Sequence, residues 1–343
     1  MANETNTVGL ALGGIGGFNA HDAGVLKAAY DLGVRPDVIS CTSGAIFWTY
    51  LFLTNPEEIP AEVQRQADAV HGVNALWVAA FGYPKIFAPA TRQYWARWMT
   101  PWNPFSVNEF LDRLLPAQVY EPTRTTADFE GIAQAFNDSK TPVIFNAYVI
   151  AEGRELLFVN EAASDFLDDI KKDLQRIFAP LPFGPDLPDG EAVEALPWRG
   201  IDAEAVKTAL WLVLYGFGHK YEDKVTIDGA YRRQVILSEL TKCERVYVVK
   251  PQPTAWAGVP PANYFDVQDF NTEMWFNSSY ASERAALKYA DEQRNDPTKV
   301  VEITMDRPLG FFNYFVERMK TYKDGYDQAK ELFGKNLTSM TKY

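Results

Sequence analysis

The beginning of the chain alternates apolar, strand-like runs with segments of helical spacing, and this order constrains the fold more than any other feature. Residues 7–12 (TVGLAL) and 37–41 (DVISC) are short apolar runs typical of buried strands. Between them, residues 21–32 place apolar side chains at helical spacing, and Gly33 and Pro36 end that helix. Because a strand, a crossover helix and a second strand form a parallel unit, the sequence predicts an α/β fold with a central, mostly parallel sheet flanked by helices.

The rest of the chain extends this pattern. Further strands are predicted at residues 143–150, 155–159, 224–227, 245–249 and 300–304, and further helices at 45–53, 161–178, 202–214, 282–294 and 313–333. Residues 56–130 are predicted to be a helical insertion rich in aromatic side chains, and residues 179–197 a Pro-rich loop. Because no Gly/Ser-rich linker or long run of charge marks a boundary, residues 1–343 are predicted to form a single domain.

Charge and cysteine content exclude several classes of function. The net charge of −12 repels a phosphate backbone, so no nucleic-acid partner is expected. Cys41 and Cys243 are too few for a disulfide framework or a cysteine zinc site, so no metal site is expected. Residues 1–7 lack the features of a signal peptide, and the longest apolar stretch, 46–53, is too short to span a bilayer. We expect a cytoplasmic protein, for which peripheral membrane contact stays open.

A serine follows the second predicted strand. In Cys41-Thr42-Ser43-Gly44-Ala45, small residues stand two positions before and two positions after Ser43. A nucleophile elbow needs small residues there because the backbone bends sharply to expose the serine Oγ. A helix N-cap also favours serine at such a position. Since neither outer position is glycine, the pentapeptide alone leaves both interpretations open.

The glycine cluster after the first strand can hold an anion. Gly13-Gly14-Ile15-Gly16-Gly17 places backbone N–H groups before a helix, where they can bind a nucleotide phosphate or the oxyanion of an acyl-transfer intermediate. A dinucleotide fingerprint would have glycine where Asn19 stands, and no Gly-Lys-Ser/Thr follows for a P-loop. An oxyanion hole is therefore favoured over a Rossmann-type nucleotide site.

The small number of histidines limits the choice of a catalytic base. There are three, His21, His71 and His219. A Ser-His-Asp triad in the chain order of α/β-hydrolases would have to use His219, for instance with Asp202. A dyad would instead use a carboxylate held in a tight turn, and Asp228-Gly229-Ala230 follows an apolar strand. Asp-Gly turns are also common without any catalytic role, so both arrangements stay open at this point.

Several of these segments together resemble the signatures of the patatin-like phospholipases. The resemblance lies in residues 9–17 (GLALGGIGG), 24–26 (GVL), 36–46 (PDVISCTSGAI) and 228–230 (DGA). The strand pair at residues 143–159 is similar to the central strands of that family, though less specifically. The match is specific near the two motifs and weak between them.

The resemblance implies both a fold and a chemistry. The fold would be a three-layer α/β/α domain, and the catalytic dyad would be Ser43 and Asp228, supported by the motif residues Gly44, Gly229 and Ala230. The implied oxyanion hole consists of Gly13, Gly14, Ile15, Gly16 and Gly17. The implied activity is a lipid acyl hydrolase that acts on a lipid or other ester through a covalent acyl-enzyme, without a cofactor or a metal.

The chain also departs from the family pattern. Phe18 stands where the family usually has Arg or Lys, and Asn19 replaces the next glycine. Cys41 and Ala45 replace the two elbow glycines, and Gln234 replaces an Asn beyond the Asp-Gly motif. Two alternatives follow. One is a catalytically degenerate patatin-fold protein that binds a lipid or a protein partner; the other is a Ser-His-Asp hydrolase or acyltransferase.

Aromatic residues are concentrated between residues 77 and 105 and again at residues 311–315. Core packing is the favoured interpretation, because aromatic side chains dominate ordinary cores. The alternative is that they line an acyl-chain channel, form a lid or contact a lipid surface.

Overall fold

A computed structural model describes most of the chain. The described residues are 7–14, 16, 19–83, 86–168, 198–250, 252–253, 260–262, 264–294, 297–305 and 311–340. The predicted Pro-rich loop at 179–197 and the second half of the helix predicted at 161–178 lie outside them, as do Ile15, Gly17 and Phe18 of the glycine loop.

Seven of the eleven described strands lie on the predicted apolar runs, and four short strands, at residues 87–89, 120–122, 198–200 and 220–221, have no counterpart in the sequence prediction. The strands are β1 (Val8–Leu12), β2 (Val38–Cys41), β3 (Phe87–Pro89), β4 (Tyr120–Pro122), β5 (Val143–Val149), β6 (Arg154–Val159), β7 (Trp198–Gly200), β8 (Lys220–Tyr221), β9 (Lys224–Asp228), β10 (Arg245–Lys250) and β11 (Lys299–Thr304).

The helices occupy the segments between these strands. They are α1 (Asn19–Asp31), α2 (Ala45–Thr54), α3 (Ile59–Asp68), α4 (Ala75–Phe81), α5 (Thr91–Met99), α6 (Val107–Leu114), α7 (Thr126–Asp138), α8 (Glu161–Asp168), α9 (Ala203–Ala209), α10 (Tyr264–Arg294), α11 (Phe311–Val316) and α12 (Arg318–Met340). Short 3-10 turns lie at Pro56–Glu58, Gly229–Tyr231 and Ser238–Leu240.

Nine strands of the described chain form one sheet. Its order is β11-β10-β1-β2-β5-β6-β7, with β9 beside β5 and β8 beside β9. The strands β11, β10, β1, β2 and β5 run parallel, whereas β6 and β9 are antiparallel to β5. The two short strands β3 and β4 pair separately. The prediction of a mostly parallel sheet flanked by helices is confirmed.

Alternating side chains of the central strands enter two separate cores. Leu10 and Leu12 of β1 pack with α1, α2, α7, α9 and α12 on one face of the sheet. Ala11 points to the other face, where α8 and α10 supply apolar side chains such as Leu167 and Tyr280. Because successive residues of a strand point to opposite faces, this pattern requires helices on both sides and produces three layers.

Three predicted helices differ from those observed. The helix predicted at 282–294 begins at Tyr264, because the buried side chains of Phe276 and Tyr280 stabilise a segment whose Asn, Ser and Thr residues have low helix propensity. The segment predicted as one helix at 313–333 consists of α11 and α12. The helix predicted at 202–214 ends at Ala209, although Asp202 caps it as expected.

The helices α1 and α12 cross at two glycines. A Cβ built on Gly24 would clash with the backbone carbonyl of Tyr322, and one built on Gly325 would clash with the carbonyl of His21. The two backbones can approach this closely only because both residues lack side chains. This crossing places the beginning of α12 beside the beginning of α1, next to the glycine loop.

Residues 56–130 form the helices α3 to α6 and the strand pair β3–β4. Tyr83 and Phe87 are buried here and pack against the fully buried Phe315 of α11. The favoured interpretation, that the aromatic residues 77–105 pack in a core, therefore holds for Tyr83 and Phe87. It is wrong for four other aromatic residues of this segment. Trp95 and Phe105 are 65% and 93% exposed, and Trp77 and Phe81 also face solvent.

Within the described residues, no helix combines the length and the apolar character that crossing a bilayer requires. Exposed apolar side chains are concentrated in residues 76–119, and we call this set the apolar face. Its members are Leu76, Trp77, Phe81, Trp95, Met99, Phe105, Val107, Phe110, Leu111, Leu114, Leu115 and Val119.

Candidate active site

Ser43 stands at a sharp turn between β2 and α2. Its φ is +48°, a left-handed conformation that few non-glycine residues adopt. Such a conformation costs on the order of 1–3 kcal/mol and is concentrated at functional sites. Cys41 and Ala45, which stand where glycines were expected, are fully buried and fit the turn. The backbone at Ser43 therefore has the geometry of a nucleophile elbow rather than that of an ordinary N-cap, which has extended backbone angles.

Gly44 is needed because another side chain occupies the space beside it. A Cβ built on Gly44 would clash with the amide Nδ2 of Asn19. Asn19 lies at the start of α1, directly after the glycine loop. The predicted supporting role of Gly44 therefore has a steric basis, since its lack of a side chain lets the loop and the elbow pack together.

The sheet brings Asp228 to Ser43. Both β2 and β9 pair with β5 from the same side, and they run in opposite directions. Ser40 of β2 pairs with Ile144, and Asp228 of β9 pairs with Ala147, three residues further along β5. The carboxyl ends of β2 and β9 therefore point toward each other, and Ser43, three residues beyond Ser40, meets Asp228.

The carboxyl group of Asp228 is completely buried, and burial raises its pKa from 3.8 to about 7. The Ser43 hydroxyl and the Ala230 N–H act in the opposite direction, because both stabilise the charged form. Oδ1 accepts the hydrogen bond from Ala230 N at 2.9 Å. Oδ2 has no hydrogen bond of standard geometry within the described residues, so it remains available to the Ser43 proton.

The turn that carries Asp228 is fixed from two sides. A Cβ built on Gly229 would clash with the side chain of Asn146 on β5, so glycine is required at this position. Ala230 supplies the N–H that holds Oδ1. The Nδ2 of Asn146 donates to the carbonyl of Arg233 at 3.1 Å, which anchors the segment after the turn. Gly229 and Ala230 therefore both position the carboxylate.

The glycine loop offers fewer free amides than predicted. The N–H of Gly13 donates to Val249 O at 2.9 Å and continues the pairing of β1 with β10, so in this conformation Gly13 is not an oxyanion donor. Among the described residues, no acceptor is bonded to the N–H of Gly14 or of Gly44. Gly14 packs closely against Asp22 and Ala45, where a Cβ would clash. Two other predicted members, Ile15 and Gly17, are outside the described residues.

Two residues that depart from the family pattern hold this loop. Asn19 donates through Nδ2 to the Gly16 carbonyl, and its Oδ1 accepts from Trp48 Nε1 at 2.7 Å and from Arg318 Nη2 at 2.8 Å. Gln234 donates through Nε2 to Gly13 O at 3.0 Å. The loop is thereby tied to α2, to α12 and to the segment after Asp228.

In the sequence, Asn19 and Gln234 are apparent only as departures from the family pattern, and no motif marks Arg318. The loop carries no basic residue of its own among its described members, and Arg318 reaches it from the beginning of α12, nearly 300 positions away. No local pattern could have revealed this contact, because it depends on the crossing of α1 and α12.

Ser43 opens into a pocket with a mainly apolar lining. The lining residues are Gly16, Asn19, Ser43, Gly44, Phe47, Trp48, Gln66, Ile86, Pro122, Arg124, Phe129, Leu210, Leu212, Tyr215 and Arg318. An apolar wall with a few polar groups beside a nucleophile is typical of a site for a small organic substrate. The walls come from α2, α7 and the segment after α9, and from the strand pair β3–β4.

The histidines lie elsewhere. The Nε2 of His219 is hydrogen-bonded to Thr208 Oγ1 at 2.8 Å, its Nδ1 faces Glu204 at 3.7 Å, and its ring stacks on Trp211. Burial lowers its pKa to about 4. His21 is buried beside Gln328, and burial likewise lowers its pKa to about 4. His219 is hydrogen-bonded to Thr208 and is not among the residues that line the pocket of Ser43, which favours the dyad arrangement over the triad.

The described residues contain no group of His, Cys, Asp and Glu side chains that could hold a metal ion. In comparisons with known proteins, no family model and no curated protein matches the chain.

Proposed function

We propose that this chain is a serine acyl hydrolase of the patatin-like type, with Ser43 as the nucleophile and Asp228 as the base. One observation carries the proposal. A serine in a left-handed elbow lies against a buried carboxyl group whose pKa is about 7, and the serine lines an apolar pocket. At neutral pH, a base with a pKa near 7 is ionised in a large fraction of the molecules and still binds a proton strongly enough to take it from the serine.

The proposed reaction has two steps. In the first, Oγ of Ser43 attacks the ester carbonyl carbon while Oδ2 of Asp228 takes its proton. The tetrahedral oxyanion is stabilised by backbone N–H groups of the Gly14 and Gly44 region. The intermediate collapses to an acyl-enzyme, and the leaving alkoxide receives the proton from Asp228. In the second step, water loses a proton to Asp228, attacks the acyl carbonyl and releases the carboxylic acid with regeneration of Ser43.

A lipid is the substrate that the surroundings favour. Phe47, Phe129, Leu210 and Leu212 give the pocket an apolar wall suited to a hydrocarbon chain. Most of the apolar face lies on α4, α5 and α6, which flank β3, and the pocket is lined by Ile86, directly before β3, and by Pro122 of β4. Exposed apolar patches commonly mark contact with lipids or proteins. The free, buried thiols of Cys41 and Cys243 are compatible with a reducing compartment, so we place the enzyme in the cytoplasm.

A fluorophosphonate probe tests the nucleophile directly. We expect one probe molecule to be attached at Ser43, detected by mass spectrometry, and no attachment in the Ser43→Ala variant. Asp228→Asn should slow labelling by at least about 100-fold, since general-base catalysis contributes roughly that much. Ser282→Ala, which removes an exposed serine of α10, is the matched control and should label normally.

Hydrolysis of chromogenic acyl esters of graded chain length provides the second measurement. Activity should require Ser43 and Asp228 and should survive His219→Ala. If His219→Ala abolishes activity, a triad replaces the dyad. A folded protein that takes up no probe and hydrolyses no ester would instead be a non-catalytic binding protein.

A further inference from the structure

Two arginines line the same pocket as Ser43. Arg318 begins α12, and Arg124 lies two residues before α7. Burial is the main cause that lowers the pKa of Arg124, and the positive charge of Arg318 adds to it, so the two charges repel each other across the pocket. The concentration of positive charge here is unusual for a chain whose net charge is −12.

Aromatic rings hold both guanidinium groups in place. The Arg124 Cζ lies 4.2 Å from the centre of the Phe47 ring. The Arg318 Cζ lies 5.6 Å from the ring centres of both Trp48 and Tyr83. Arg318 is buried and Arg124 is partly buried, and burial lowers the pKa of each arginine. Contact with the Phe47 face orients the Arg124 guanidinium while leaving its N–H edge able to donate, whereas Arg318 also donates through Nη2 to Asn19.

The nearby acids do not neutralise Arg124. Glu62 lies 2.9 Å from Arg65, with which it forms an ion pair. The carboxylate of Asp128 accepts hydrogen bonds from the N–H and hydroxyl of Thr125, where it caps α7. Asp228 is committed to Ser43 and Ala230. No carboxylate of the described residues lies within ion-pair distance of Arg124, and the remaining neighbour is the phenol of Tyr215.

We propose that Arg124, together with Arg318, binds an anionic group of the substrate, so that the pocket selects esters carrying a carboxylate or a phosphate. This inference rests on the proposed hydrolase function and specifies its substrate class. A guanidinium presents a planar pair of donors that matches the oxygens of either anion, and an anion would supply a countercharge to the partly buried Arg124. Because the whole molecule repels anions, this selectivity has to come from the pocket itself.

Arg124 is the residue to test, because Arg318 also holds Asn19 and the glycine loop. In the Arg124→Met variant an apolar side chain of similar length retains the packing on Phe47 and removes the charge. Arg124→Lys retains the charge and loses the planar donor pair, so it should recover only part of the effect.

The measurement compares pairs of esters that differ only in an anionic group. The first pair is 4-nitrophenyl hexanoate and the 4-nitrophenyl monoester of adipic acid. The second pair is dihexanoylglycerol and dihexanoyl phosphatidic acid, whose hydrolysis is measured as the release of hexanoate. We expect kcat/KM of the unmodified enzyme to be about 10- to 100-fold higher for the anionic member of at least one pair, as for a hydrogen bond to a charged group. The pair that shows the preference identifies carboxylate or phosphate as the anion.

Arg124→Met should lower kcat/KM for the anionic member of that pair by about 10- to 100-fold more than for the neutral member, which removes the preference. Equal hydrolysis of charged and neutral members by the unmodified enzyme would overturn the inference. So would a parallel loss for both members in a variant that is folded by circular dichroism.

Ligand binding tests the anion site independently of the proposed hydrolase activity. Isothermal titration calorimetry of Ser43→Ala with hexylphosphonate, hexanoate and hexanol requires no catalysis. Tighter binding of an anion than of hexanol, lost in the Ser43→Ala/Arg124→Met double variant, would support the anion site even if no ester is hydrolysed. Equal binding of all three would overturn it even if the enzyme is active.

Discussion

At the scale of single residues, Asp228 is the most informative group. Its burial favours the protonated carboxyl group, and the neighbouring Ser43 and Ala230 only partly offset this effect. Because burial raises the pKa of Asp228 to about 7, ionisation of this carboxyl group lowers the free energy of unfolding. Perturbed carboxyl groups of this kind are concentrated at functional sites, where they serve chemistry rather than stability.

Asp228→Asn should therefore make the protein more stable at high pH. The native carboxyl group has a pKa of about 7 and the unfolded one about 3.8, so the native state holds more protons in between. Its contribution to the free energy of unfolding falls as the pH rises from about 4 to about 7 and stays low above that. We expect the variant to exceed the unmodified protein by up to about 4 kcal/mol at pH 8 and to match it at pH 4.

Urea unfolding followed by circular dichroism at several pH values measures this difference. Asp138→Asn, at an exposed position of α7, is the control and should show no such pH dependence. A stability difference for Asp228→Asn that is the same at pH 4 and pH 8 would contradict a raised pKa.

At the scale of secondary structure, the contact between α1 and α12 determines the position of the site. Gly24 and Gly325 let the two backbones touch, and Arg318 then reaches Asn19 and the glycine loop. The loop and the elbow are thus supported by a helix that is remote in the sequence.

Gly325→Ala should force these helices apart, because its Cβ would clash with the His21 carbonyl. We expect a loss of about 1–3 kcal/mol in the free energy of unfolding, as for overpacking, together with reduced probe labelling of Ser43. Gly334→Ala in the same helix is the matched control, since a Cβ there meets nothing within 4 Å. That variant should gain about 0.5–1 kcal/mol from helix propensity. Denaturant unfolding measures the free energy of unfolding of both variants, which should fall for Gly325→Ala and rise for Gly334→Ala. A fall in both variants would contradict the steric explanation.

At the scale of the whole molecule, the apolar face stands out against an acidic surface. Its side chains come from residues 76–119, mainly from α4, α5 and α6. Negative charge disfavours anionic bilayers, so lipid binding of the kind we propose would depend on apolar contact. Aromatic side chains are suited to the boundary between water and hydrocarbon.

Replacing Trp95 and Phe105 by Ala should reduce co-sedimentation with zwitterionic phosphatidylcholine vesicles by about tenfold or more, given roughly 1.5–3 kcal/mol for each large apolar side chain transferred out of water. Tyr289→Ala removes an aromatic side chain that is 51% exposed on α10, away from the apolar face, and should leave binding unchanged. Equal losses in both variants would indicate that binding does not use this face.

The sequence by itself determined the parts of this protein that depend on neighbours in the chain. The apolar runs gave β1, β2, β5 and β10, and the short-range motifs indicated Ser43, Gly44 and Asp228, because strand periodicity and turn chemistry are local properties. The tertiary structure decided everything that depends on which segments meet. It placed β9 on the side of β5 where β2 ends, which brings Asp228 to Ser43. It also engaged the N–H of Gly13 in the sheet and brought Arg318 to the loop, and it left Trp95 and Phe105 at the surface. Sequence periodicity shows which side chains avoid water, whereas packing in three dimensions determines their neighbours.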